Sequence, residues 1–242
     1  MPDEIFTDPR LAAVYDLFND FGEDTPFYVA LAGETPKRVL DVGCGTGRLA
    51  CALAGQGHRV TGADPAVAML EMAKRKPEAG KIAWVEAFAD RLDLAERFDL
   101  IVMTGHVFQV FLEDAEILAV LKNLRRHLAP GGTLAFETRN PAAREWEEWT
   151  ADYSETVEHP ELGPVEASWV LTAVEEPFVS FETRHRFPDG SRLAAPSTLR
   201  FITQPELAAL LEQAGFTEVE WYGDWDRSPL GEDKPEIIVL AR

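Results

Sequence analysis

Apolar and polar residues alternate with two different periods along residues 37–140, which indicates strands followed by helices. Short β-type runs occupy 37–42, 59–63, 82–85, 98–103 and 133–138. Segments with helical spacing of apolar residues occupy 46–56, 65–76 and 115–128. Strand, helix and strand in this rhythm predict a parallel sheet with helices on both of its faces.

Turn-forming residues mark where the predicted helices begin and end. Gly57 is placed to end the first helix as its C-cap, and Pro65 to open the second at its first position. Pro130, followed by two glycines, stops the third helix before the next strand. The run 98–103 is apolar apart from Asp99, which predicts a strand buried on both faces.

The pattern changes after residue 140, where apolar residues begin to alternate at every second position. The first such run predicts one shared strand face for Val165, Ala167, Trp169, Leu171 and Ala173. A second run covers 179–187, and the turn sequence 188–191 leads into a third that ends near Ile202. These runs predict a small antiparallel sheet.

The helix and strand pattern then returns. Thr203 and Glu206 form a capping box for a helix that runs through Ala214, and strands follow at 219–222 and 237–240. The predicted organisation is an N-terminal helical cap at 1–36, an α/β domain at 37–140 and 203–242, and a β-rich lid insertion at 141–202.

Composition agrees with one sizeable folded domain that carries an insertion. The chain has 242 residues, of which 46% are hydrophobic, enough to bury a large core. No apolar run approaches the roughly 18 residues of a membrane span, and the N-terminus lacks the basic start and apolar stretch of a signal peptide. The default expectation is a cytoplasmic protein without a membrane partner.

The charge balance narrows the class of partner. The formal net charge of −19 removes long-range attraction to phosphate backbones, so nucleic acid is not an expected partner. The two cysteines, Cys44 and Cys51, give no zinc spacing with His58 and are expected to be reduced and structural. We expect no metal site, and either a monomer or a homodimer.

A glycine-rich turn follows the first predicted strand. The segment Val39–Ala50 reads VLDVGCGTGRLA, with glycines at every second position from Gly43 to Gly47. Such glycines let the backbone turn sharply and approach a ligand closely. The dinucleotide-binding pattern needs another glycine where Arg48 stands, so a nicotinamide cofactor is disfavoured.

The pattern D-x-G-x-G-x-G at Asp41–Gly47 resembles that of class I S-adenosylmethionine-dependent methyltransferases. The runs FDLIVMTGHVFQVF and LAPGGTLAFET and the C-terminal strand pair are similar to elements that follow in that family. The resemblance covers about 37–140 and 203–242. It implies S-adenosyl-L-methionine as cofactor and a Rossmann-like, mostly parallel seven-stranded sheet whose last strand is antiparallel.

The resemblance also implies a set of cofactor-binding positions at the carboxyl ends of the strands. Asp41 suits the ammonium of the cofactor, and Asp64 suits two ribose hydroxyls, with an N-cap role before Pro65 as the alternative. The full set is Tyr15, Asp41, Gly43, Cys44, Gly45, Gly47, Asp64, Pro65, Met69, Phe88, Ala89, Asp90, Thr104, Gly105 and Val107.

Two parts of that set depart from the family or have competing interpretations. Phe88 stands where the family commonly has an aspartate that meets adenine, so either Phe88 covers the adenine with Asp90 as the polar contact, or Phe88 is core packing. The pair Tyr15-Asp16 resembles a pair that closes over the cofactor in related enzymes. The alternative is a plain amphipathic helix packed on the sheet.

Candidate chemistry lies in the loop after the fourth strand. His106 is the candidate catalytic base, since an imidazole there can accept a proton near neutral pH, and the alternative is that it only shapes the pocket. Candidate substrate-binding residues are Arg139, Asn140, Trp146 and Trp169. Arg139 has a competing interpretation as an ion-pair partner of one of the many acids.

The layout resembles the glycine and amino-sugar N-methyltransferases. It implies an enzyme that transfers a methyl group from S-adenosylmethionine to a nitrogen or oxygen of a small molecule. A protein acceptor is one alternative, and a non-catalytic S-adenosylmethionine-binding or regulatory protein is another.

Overall fold

The computed structural model describes residues 3–19, 22–149 and 154–242. Its α-helices are α1 (Glu4–Thr7), α2 (Pro9–Phe18), α3 (Asp24–Ala32), α4 (Arg48–Gly55), α5 (Val67–Ala73), α6 (Asp114–His127) and α7 (Gln204–Ala214). Its strands are β1 (Arg38–Val42), β2 (Arg59–Asp64), β3 (Ala83–Glu86), β4 (Phe98–Met103), β5 (Leu128–Arg139), β6 (Ser154–His159), β7 (Gly163–Glu175), β8 (Phe178–Arg186), β9 (Arg192–Arg200), β10 (Val219–Tyr222) and β11 (Glu236–Ala241). Short 3₁₀ helices lie at Ala79–Lys81, Val107–Val110, Pro141–Ala143 and Glu145–Glu148.

The central sheet has seven strands in the order β10-β11-β5-β4-β1-β2-β3. The strands β1 to β5 pair in parallel, whereas β11 is antiparallel to both β5 and β10. This confirms the predicted mostly parallel sheet with a reversed last strand. Glu236, the first residue of β11, pairs with Arg139, the last residue of β5. The reversed strand therefore begins at the edge where the parallel strands end.

Both faces of the central sheet are buried, as the apolar run at 98–103 predicts. Ile101 and Met103 of β4 pack with α6 and α7 on one face. Leu100 and Val102 pack with α3 and α4 on the other face. Because alternate residues of a strand point to opposite faces, only a strand covered on both sides needs apolar residues at both sets of positions.

The second sheet is antiparallel, with strands in the order β6-β7-β8-β9. It confirms the predicted β insertion and adds β6, which the sequence pattern did not reveal because glutamates and a serine occupy half of that strand. The prediction that Ala173 shares a face with Val165 is wrong. A register shift between Leu171 and Ala173 interrupts the alternation, so Val165 is buried and Ala173 is exposed.

Two predicted helix boundaries are also corrected. Pro65 lies outside its helix, because the Asp64 carboxylate accepts a hydrogen bond from the Ala66 N–H and α5 begins only at Val67. The third predicted helix ends at His127, and β5 already pairs with β4 at Leu128. Pro130 therefore lies within the irregular start of a strand.

Within the described ranges, no helix combines the length and apolar character needed to cross a membrane. The same ranges contain no group of three or more histidine, cysteine, aspartate or glutamate residues arranged to hold a metal ion.

Substitution of Gly47 by alanine is expected to destabilise the fold more than the same change at Gly57. Both glycines have positive φ, 74° and 92°, so each substitution costs about 1–2 kcal/mol of backbone strain. A Cβ at Gly47 would lie 2.5 Å from Cη2 of Trp84, whereas nothing lies within 4 Å of one at Gly57. We expect a further loss of about 1–3 kcal/mol at Gly47 from the clash.

Chemical denaturation of the two variants measures the difference. Gly57→Ala is the matched control, because it shares the backbone conformation without the steric contact. Equal losses of unfolding free energy would contradict the packing argument.

Candidate active site

The glycine turn between β1 and α4 forms one wall of a site at the carboxyl edge of the central sheet. Gly43, Gly45 and Gly47 all have positive φ, at 68°, 52° and 74°. At Gly43 a Cβ would lie 2.7 Å from both methyl groups of Val107, so only glycine lets these two segments touch. The glycine turn and the loop after β4 are therefore packed directly against each other.

Asp64 holds this turn from the end of β2. One carboxylate oxygen accepts the Gly45 N–H at 2.8 Å, and the other accepts the Ala66 N–H at 2.8 Å. Burial raises the pKa of the carboxyl, and these two hydrogen bonds oppose that shift. Since two carboxylate oxygens offer about four acceptor positions, Asp64 keeps capacity for hydroxyl groups of a ligand.

Asp41 lies under the same turn and is 1% exposed. Its Oδ1 makes no hydrogen bond with any described residue. Burial raises the pKa of this carboxyl to about 7, and the charge of Asp64 adds to the shift. A backbone hydrogen bond from Ala50 opposes this shift, but an unpaired oxygen on a buried carboxylate is costly, so the position suits a ligand cation. The orphaned oxygen and the open glycine turn fit the ammonium and carboxylate ends of S-adenosylmethionine.

The N-terminal helix α2 lies against the turn. The Thr46 hydroxyl donates a hydrogen bond to Oδ1 of Asp16 at 2.5 Å, and Lys76 forms an ion pair with Oδ2 of Asp16. Tyr15 is half-buried, and burial together with the charges of Asp16 and Asp64 raises its pKa to about 12.

The alternative in which α2 packs on the central sheet is wrong. Leu11 and Val14 pack on the lid sheet, and Ala12 packs on Met69 of α5. The helix therefore bridges the lid and the cofactor side of the site.

The remaining cofactor-side residues lie along the same edge, with different exposures. Met69 is buried, and its Cε lies 3.8 Å from where a Gly45 Cβ would be. Burial raises the pKa of the half-buried Cys44 thiol well above its usual range. Pro65 and Thr104 are half-buried and Gly105 is exposed.

The segment after β3 places an aromatic ring at the surface of this edge. Phe88 is 40% exposed, so the core-packing alternative is wrong. The Arg91 guanidinium lies 5.7 Å from the Phe88 ring centre and also pairs with Asp90. The Ala89 carbonyl accepts a hydrogen bond from Asn123 of α6, which anchors the segment. The adenine contact of Phe88 or Asp90 stays a prediction.

His106 is held in a left-handed conformation, with φ of 59°, at the start of a 3₁₀ helix. Its backbone N–H donates to Oε1 of Glu137 at 2.8 Å. Its ring Nε2 lies 2.9 Å and 3.1 Å from the two carboxylate oxygens of Glu236. The Tyr28 hydroxyl also donates to Glu137, and burial raises the pKa of the Glu137 carboxyl to about 7.

Sequence reasoning missed both glutamates. The strand pattern predicts site residues where parallel strands end, whereas Glu236 begins a strand that runs the opposite way. The available signal was an acid directly before the apolar run IIVLA, and Glu137 was a second acid inside the apolar run LAFET. Both residues are buried, with 6% of the surface of Glu236 and 1% of that of Glu137 exposed.

Two predicted substrate residues make contacts with other parts of the protein. Arg139 pairs through Nε with Glu145 at 3.1 Å and donates from Nη1 to Gln109 at 2.9 Å, which confirms its ion-pair interpretation. The predicted substrate role of Asn140 is corrected. Its side-chain amide donates to the carbonyls of Gly231 and Lys234, and its Oδ1 accepts the Ala142 N–H. Asn140 therefore ties the loop before β11 and has no donor left for a substrate.

The predicted tryptophans lie apart from each other. The predicted substrate role of Trp146 is also corrected, because Trp146 is 3% exposed and packs on Phe201 with ring centres 4.5 Å apart. Trp169 is half-buried on the lid sheet and meets the Phe18 ring edge-on at 6.3 Å. Trp149 lies 5.4 Å from the Arg139 guanidinium.

Comparison with known proteins matches both the sequence motifs and the fold. Residues 39–132 match a family model described as a methyltransferase domain. The cypemycin N-terminal methyltransferase of Streptomyces sp is 35% identical over 106 residues, covering 44% of this chain and 43% of that protein. The ubiquinone biosynthesis O-methyltransferase of Histophilus somni is 38% identical over 125 residues, covering 47% of this chain and 50% of that protein.

A solved structure shows the same fold over a longer range. The sugar N-methyltransferase of Streptoalloteichus sp superposes with a TM-score of 0.75 at 21% identity, covering 95% of this chain and 93% of that chain. The chain spans about half the length of each of the two curated relatives named above. Residues 39–132 thus match a methyltransferase domain, and the glycine turn and sheet order of the chain resemble those of class I S-adenosylmethionine-dependent methyltransferases.

Proposed function

We propose that this protein transfers a methyl group from S-adenosylmethionine to a nitrogen or oxygen atom of a small molecule. The observation that carries the proposal is the contact between its two functional loops. Val107, next to His106, packs on Gly43 so closely that a Cβ would clash at 2.7 Å. The candidate base thus lies beside the turn that would hold the cofactor.

Different residues of the site bind different groups of the cofactor. Asp41 receives the ammonium, backbone N–H groups of the glycine turn receive the carboxylate, and Asp64 receives the ribose hydroxyls. When bound, S-adenosylmethionine supplies a methyl group activated by its sulfonium. Tyr15 on α2 covers the site beside Asp64 and helps to exclude water from it.

His106 acts on the acceptor side. A hydroxyl or a protonated amine must lose a proton to act as the nucleophile, and the imidazole is proposed to accept it. The names of the relatives include an N-terminal methyltransferase, an O-methyltransferase and a sugar N-methyltransferase, so the proposal covers both nitrogen and oxygen. The net charge of −19 favours a small acceptor over a nucleic acid.

A non-catalytic S-adenosylmethionine-binding protein is the second candidate. One observation favours it: Arg139, Asn140 and Trp146 are all engaged in contacts within the protein. The cofactor side of the site would then serve binding alone.

Turnover with labelled S-adenosylmethionine separates these two functions. We expect methyl transfer to at least one member of a panel of small amines, amino sugars and phenols. A protein substrate panel is the control for acceptor size. Cofactor binding without transfer to any acceptor would contradict the proposal and support the binding protein.

Substitution of Asp64 by alanine is expected to weaken binding of S-adenosylhomocysteine by about 1.5–3 kcal/mol, because hydrogen bonds to a charged group are lost. Calorimetry measures the affinity. Asp93→Ala is the control. The Asp93 side chain is 91% exposed, and its substitution removes an ion pair with Arg126 at 3.7 Å. Unchanged affinity in Asp64→Ala would remove this residue from the site.

Cofactor binding is expected to release protons near pH 6. In the free protein Asp41, with its pKa raised to about 7, is mostly protonated at pH 6 and mostly ionised at pH 8. A bound ammonium favours the ionised carboxylate, so affinity for S-adenosylhomocysteine should rise between these two pH values. Calorimetry in buffers with different ionisation enthalpies counts the protons released.

The variant Asp41→Asn isolates the contribution of this carboxyl, because an amide does not titrate. Its binding should show less proton release at pH 6 and a flatter dependence on pH. Proton release that is the same in both proteins would assign it to another group, such as Glu137, whose pKa is also raised to about 7.

A further inference from the structure

We propose that Glu236 is a positioning residue for His106, holding the imidazole so that Nε2 carries the proton and Nδ1 is the atom that accepts one. The inference rests on the role proposed for His106. It assigns a function to a residue from the reversed strand β11.

The hydrogen bond defines which ring nitrogen carries the proton. Nε2 of His106 lies 2.9 Å and 3.1 Å from the two carboxylate oxygens of Glu236. An ionised carboxylate can only accept, so Nε2 must donate. In a neutral imidazole the proton acceptor is then Nδ1, which has no hydrogen-bond partner among the residues that the structure describes.

The environment of Glu236 argues that this contact is more than a surface ion pair. Its side chain is 8% exposed, against 22% for His106. Within the described ranges, the ring of His106 is the only side chain that bonds to this carboxylate. A buried carboxylate is costly without a partner, so the imidazole and the carboxylate depend on each other.

A second carboxylate fixes the backbone of the same residue. Glu137 pairs with Ile238 across β5 and β11, and Ile238 lies two positions after Glu236. Since strand side chains alternate, Glu137 and Glu236 share one face of the sheet as diagonal neighbours. The Glu137 carboxylate accepts the His106 N–H while Glu236 accepts the ring N–H. His106 is therefore fixed at two points by two strands.

This arrangement accounts for each bond and for the proton in the proposed methyl transfer. The acceptor atom forms a bond to the methyl carbon as the bond from that carbon to sulfur breaks, with both electrons of that bond staying on sulfur. The acceptor proton moves to Nδ1 of His106. The imidazolium formed keeps its Nε2–H on Glu236, whose negative charge stabilises it.

The test replaces Glu236 by leucine, which removes the hydrogen-bond acceptor, and compares it with Glu220→Gln. Glu220 is an acid of the neighbouring strand β10, exposed and bonded to Tyr222 and Arg242 away from the site. In protein labelled with ¹⁵N at histidine, we expect a slowly exchanging Nε2–H signal of His106. The signal should vanish in His106→Ala and Glu236→Leu and persist in Glu220→Gln.

Kinetics on an acceptor found by the labelled-cofactor assay give the second readout. We expect Glu236→Leu to lower kcat by about 10–100-fold, with the KM for the acceptor and the affinity for S-adenosylhomocysteine nearly unchanged. In the His106→Ala background the same change should cause no further loss, because Glu236 acts through His106. Additive losses would overturn the proposal.

The Nε2–H signal of His106 tests this inference without a methyl acceptor, whereas turnover with labelled S-adenosylmethionine tests the proposed function. Persistence of the Nε2–H signal in Glu236→Leu would overturn the inference even if the wild-type protein is active. If Glu236→Leu does not fold, Glu236→Gln replaces it, since the amide keeps the volume but loses the charge. An unchanged Nε2–H shift together with unchanged kcat in that variant would also overturn the inference.

Discussion

The antiparallel pairing of β11 with β5 is the constraint on which the surroundings of His106 depend. It brings Glu236 beside Arg139, at the edge where the parallel strands end. The same pairing places Asn140 against the loop before β11, whose carbonyls it binds. A parallel last strand would put its first residue at the opposite edge, where no carboxylate could reach His106.

Buried acids give this site its electrostatic character. Asp41 and Glu137 are each nearly inaccessible, and burial raises the pKa of both carboxyls to about 7. In the free protein they oppose folding as pH rises from about 4 to 7, since the folded state holds their protons more tightly than the unfolded chain. These buried acids therefore lower the stability of the folded protein near neutral pH, and residues of binding sites commonly carry such a cost.

The fold and the position of the glycine turn could be predicted from the sequence because their signals are local. Alternating periods revealed the strands, and glycines at every second position marked the turn. The surroundings of His106 and Trp146 depend on residues far apart in the chain. Glu236 meets His106 across 130 positions, and Trp146 is buried by Phe201, so neither outcome follows from spacing.

The hydrogen bond from Thr46 to Asp16 joins the N-terminal helix to the glycine turn itself. The ion pair with Lys76 ties the same aspartate to the segment after α5. One side chain thus couples the position of the N-terminal helix, and of Tyr15 on it, to the backbone of the turn, although Asp16 and Thr46 are 30 positions apart in the chain.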